Sequence, residues 1–132
     1  MVNVRKTFLT LIFAITFVLG SISTLSALGH GMIMVNGRAV FSEPAPGNFK
    51  IEQETQQLEL NYDDFSIQKD ESLQVIHVVP ESITSLRVTG SEKTSIAGKV
   101  ESRGTVKIAN KKGFVFYPGA NFKVKKLTFD VR

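Results

Sequence analysis

The chain has 132 residues, a formal charge of +4, ten phenylalanines, no tryptophan and no cysteine. That length allows one hydrophobic core and no second. Without cysteine there is no disulfide framework, thiolate zinc site, thiol nucleophile or lipid-modified N-terminal Cys, so apolar burial must hold the fold.

In chain order, residues 1–29 are expected to be a signal peptide. Arg5 and Lys6 form a positive n-region, "FLTLIFAITFVLG" supplies an apolar h-region, and "SISTLSALG" is small and polar. Ala27 and Gly29 then stand at −3 and −1 of a cut before His30. The competing expectation is a retained signal-anchor, because Thr7 to Gly29 carries no charge. Membrane contact would then run through the leader alone. Cleavage leaves residues 30–132 as one domain in the periplasm or outside the cell.

No stretch after residue 30 holds a helical period. "MIMVNGRAVF" is two β-type runs around Asn36-Gly37, a strong hairpin signal, and "SEPAPGN" is expected to be a rigid loop. In "QLELNY" Leu58, Leu60 and Tyr62 share one face, which predicts a half-buried strand. "LQVIHVV" is apolar on both faces, as in a central strand. The last run changes phase between Val124 and Leu127, which predicts a β-bulge at Lys125-Lys126. No internal repeat is evident. The expected fold is all-β: an immunoglobulin-like antiparallel β-sandwich of about seven to nine short strands.

Charge is divided along the sequence. From His30 to Leu86 three basic residues (Arg38, Lys50, Lys69) face nine acids, whereas from Arg87 to Arg132 eleven basic residues face Glu92, Glu101 and Asp130. The halves either neutralise one another as neighbouring strands, or the basic half meets a protein or anionic polymer, or copies meet end to end. Nucleic acid is a poor partner for an exported chain whose aromatics do not interleave with its basic run.

Enzymatic signatures are missing: there is no G-x-S-x-G, no glycine-rich phosphate loop and no H-E-x-x-H. Asp63 and Asp64 are adjacent, so in a strand they point to opposite faces and cannot act as a pair. A non-enzymatic role is therefore expected. His30, Met32 and Met34 stand two apart and would share one side of an extended chain. An imidazole and two thioethers suit copper, a free α-amine on His30 would complete a chelate, and His77 would add a nitrogen. The same residues also read as ordinary core filling, with His77 a buried histidine in an apolar run.

His30, then "SEPAPG" at Ser42 to Gly47, then "LELNY" at Leu58 to Tyr62 make the opening similar to the periplasmic copper-resistance C family. That family consists of small sandwiches whose mature chain opens with a ligand histidine. The resemblance implies that His30 is a copper ligand. No histidine follows His77, so the family's second histidine has no counterpart here. Two functions are thus expected: an exported copper-binding β-sandwich, or an interaction or structural module (adhesin-like, fibre-associated or assembly-factor) acting through sheet edges and the charge split.

Overall fold

The computed structural model describes residues 29–77, 79 and 81–132. The expected signal segment therefore lies outside the described residues, apart from Gly29. Twelve strands follow in order: β1 (Gly29–His30), β2 (Ile33–Asn36), β3 (Ala39–Ala45), β4 (Asn48–Gln53), β5 (Gln57–Tyr62) and β6 (Asp64–Phe65). Then come β7 (Ser72–His77), β8 (Ile83–Val88), β9 (Thr94–Ile96), β10 (Lys99–Asn110), β11 (Phe114–Phe116) and β12 (Asn121–Asp130).

From β4 onward every pairing is parallel. On one face β4 pairs with β7, β7 with the first part of β10, and β10 with the first part of β12. On a second face β5 pairs with β8, β8 with the later part of β10, and β10 with the later part of β12. A third face joins β9 to β11 and bridges Ile67 to Ile96. Asn48, Ser72, Lys99 and Asn121 are successive partners in one column. The chain winds repeatedly through three faces: this is a β-solenoid of about four turns.

The immunoglobulin-like sandwich is therefore corrected. All-β character is present, but a sandwich needs two antiparallel sheets packed face to face, and here parallel strands of successive turns enclose the core. Side chains alternate in and out with period two in either architecture, which is why the pattern misled. An internal repeat does exist, in inward positions rather than in residue identity. Phe49 lies over Leu73 and then Val100, and Leu60 over Leu86 and then Ile108. All six are buried, each worth about 1.5–3 kcal/mol of transfer free energy. Tyr62 ends one such column, and burial pushes its hydroxyl up to about 12.

The N-terminal strands behave differently. β1, β2 and β3 run antiparallel to β6, β5 and β4, covering the first turn as a cap. Asn36-Gly37 is accordingly not a hairpin. It is a corner that carries the chain from the second face to the first, with Gly37 at φ 93°. The true hairpin joins β3 to β4 through Pro46-Gly47, where Ala45 faces Asn48 and Gly47 has φ 79°. Proline followed by glycine with positive φ is what a type II turn requires. Most of "SEPAPGN" is thus strand rather than loop.

Candidate functional site

The four residues expected to bind metal do not converge. His30 ends β1, and its exposed ring meets the Asp64 carboxylate at 2.9 Å. Gly31, at φ 68°, turns the chain immediately afterwards, so the two-residue alternation breaks. Met32 packs against the core, while Met34 is exposed and faces Leu60 in β5. His77 lies on another face and another turn, opposite Gln53. Among the described residues no group of three or more His, Asp or Glu side chains could hold a metal ion. The copper and metal-binding expectation is corrected on that finding: a corner replaces the straight strand that would have aligned the donors.

His77 has a different setting. Its Nε2 meets the Ser102 hydroxyl at 2.5 Å, and Ser102 Oγ also accepts a hydrogen bond from the Gly104 amide. Nδ1 is buried without a hydrogen-bond partner, and burial lowers the His77 pKa below its ordinary value. These groups line a hollow of about 550 Å³ with Arg103 and Lys123. The ring lies against Gly104, where β10 bends from the first face to the second.

Two further polar brackets were not anticipated. Gln53, fully buried, donates from Nε2 to the carbonyls of Thr55, Gln56 and Ile83, and accepts from the Thr84 hydroxyl. Asn110, also fully buried, donates to the Glu92 carbonyl and the Thr94 hydroxyl and accepts from the Lys112 amide. Both stand on inward parity next to a turn. A polar residue breaking an apolar alternation was the signal available in the sequence.

The exposed chemistry collects at the C-terminal end. β12 pairs with β10 on one side, and among the described residues nothing pairs with its other edge. Among the described residues no further turn lies over the inward side chains of β12. Phe129 stands 5.0 Å from Phe114, 4.8 Å from Phe116 and 5.7 Å from Phe122, ring centre to ring centre. Phe116 is 49% exposed and Phe122 37% exposed, and Tyr117 and Val131 are exposed beside them. An aromatic cluster in that position is an inward-facing layer that the described residues leave partly exposed. Around it lie Lys123, Lys125 and Lys126 on β12, with Lys111 and Lys112 in the preceding turn, all exposed. Arg132 holds Asp130 through Nε at 2.8 Å, and that hydrogen bond lowers the Asp130 pKa.

The solenoid also decides how charge is laid out. Because sequence order becomes axial order, the acidic residues gather toward the cap and the basic ones toward β12, and the two meet in the middle turns.

No family model and no curated protein matches the sequence. Among solved structures the chain is similar in fold to the HMW1 secretion domain from Haemophilus influenzae. The TM-score is 0.72 at 22% identity, over 77% of this chain and 27% of that one. The chain thus spans about a quarter of the length of the structure that shares its fold.

Proposed function

We propose that the chain is an exported, non-enzymatic interaction module whose working surface is the open C-terminal end of its solenoid, where a partner strand pairs with β12. The carrying observation is a ten-residue strand whose edge away from β10 is unpaired among the described residues, with an aromatic layer exposed at its side. Such an edge is a template for strand addition, in which backbone hydrogen bonds give affinity and side-chain pockets give specificity. Lysines along β12 favour an acidic partner. The n-region and apolar run at the start of the sequence support export, and the HMW1 domain, which shares the fold, is described as a secretion domain.

A photo-reactive residue in place of Lys125, introduced in producing cells, is expected to crosslink to a second polypeptide. The same probe in place of Gln74, on the outer side of a central strand, is not. Equal crosslinking from both positions, or none from Lys125, overturns the proposal.

A further inference from the structure

We infer that the partner strand belongs to a second copy of this chain: β12 of one molecule pairs with the edge of the next molecule's cap, β2 and β3, that no described residue pairs. This inference rests on the reading of β12 as a docking edge and names its occupant.

Strand direction supports it first. β12 runs parallel to β10, which runs parallel to β7 and β8, and those to β4 and β5. The cap strands run antiparallel to β4 and β5. A second copy stacked on the same axis therefore sets an antiparallel cap edge against β12. That repeats, on the cap's outer edge, the pairing its inner edge already makes within one chain. The first part of β12 meets β3 and the later part meets β2, each on the matching face.

Apolar surface agrees. The tail exposes Phe116, Phe122 and Val131, while the cap exposes Ile33, Met34, Val35 and Val40, with Ile33 64% exposed. Both ends have apolar surface to remove from water.

Charge complements it. Lys123, Lys125 and Lys126 lie on the tail edge, while Glu43 lies in the cap, Glu52 and Glu59 one strand beneath it and Glu54 in the loop after β4. Strands pair at about 4.8 Å, so the acidic strands would sit about 10 Å from β12. That is about one Debye length at 0.1 M salt. Arg38 and Lys50 partly offset these acids through Glu54 and Glu52, but the sign of the head remains acidic. The joint is head to tail and heterologous, so it propagates as an open chain of copies instead of closing.

The test is sedimentation velocity on the purified full chain over a range of concentration and salt. Expected is a ladder of species that grows with concentration and shrinks as ionic strength rises from about 0.1 M to about 1 M. A tail variant, Lys123→Glu with Lys125→Glu and Lys126→Glu, should associate roughly 100-fold more weakly. A head variant, Ile33→Lys with Val35→Lys, should be equally impaired. Mixed together, the two keep one intact head and one intact tail and should form a 1:1 dimer that neither forms alone. All five positions are exposed, and circular dichroism checks that both variants fold. Both retain residues 1–28, so association through that apolar stretch would persist in each and overturn the inference, as would a head variant that still dimerises. A wild-type chain monomeric at every concentration also overturns it. If Lys125 still crosslinks to a different polypeptide, the docking edge stands and only the second copy falls.

Discussion

His77 shows how much a single side chain's role depends on the turn above it. In sequence it sits in an apolar run with no recognisable companion, and Ser102 lies twenty-five positions away. Winding brings the hydroxyl onto Nε2, and the absence of a side chain at Gly104 leaves room for the ring. Because burial depresses the folded-state pKa below 6.5, the unfolded chain takes up the proton first as pH falls. Stability contributed by neutral His77 is therefore complete above pH 6.5 and declines as pH drops below it toward the folded value. Urea unfolding at several pH values is expected to show that decline, and His77→Gln to flatten it. An identical slope in the variant would assign the decline to other groups. Nothing in one linear sequence marks the His77–Ser102 pair, because the number of residues between stacked positions is set by corners whose lengths vary.

At the scale of elements, local chemistry was legible where it did not depend on the neighbour. β5 was anticipated with Leu58, Leu60 and Tyr62 inward, and they are buried. The phase change at Lys125-Lys126 is also present, although its cause is a corner. Val124 is inward on the first face and Leu127 on the second, and the register shift falls between Ser102 and Thr105 on β10. Asn36-Gly37 misled because a turn signal specifies backbone conformation and not which strands pair afterwards. Pro46-Gly47 carried the hairpin instead. The bend in β10 is the element most sensitive to a small addition. A Cβ at Gly104 would stand 2.8 Å from His77 Cε1 and Nε2 and 2.8 Å from the Ser82 carbonyl oxygen. Gly104→Ala is expected to destabilise the chain by about 1–3 kcal/mol, read as a lower urea midpoint. An unchanged midpoint would mean that the corner opens freely.

At the scale of the whole molecule, the sandwich and the solenoid share composition, strand length and alternation. They differ in what lies beside each strand, and that is fixed by non-local pairing. Only the column Phe49, Leu73, Val100, with its partners on the second face, carried the difference, and unequal corners blurred its period. In a stack where each turn contacts its immediate neighbours, stability is graded along the axis. Hydrogen exchange on dilute monomer is expected to find β4, β5, β7, β8 and β10, each flanked on both sides, slower to exchange than β12, which is fastest among the long strands. Uniform protection across all turns would contradict that grading. The axial layout of charge has one more consequence. A molecule with carboxylates gathered at one pole and ammonium groups at the other carries a permanent dipole along its length. Near a negatively charged surface it would rotate before it touched, presenting its lysine-rich pole first.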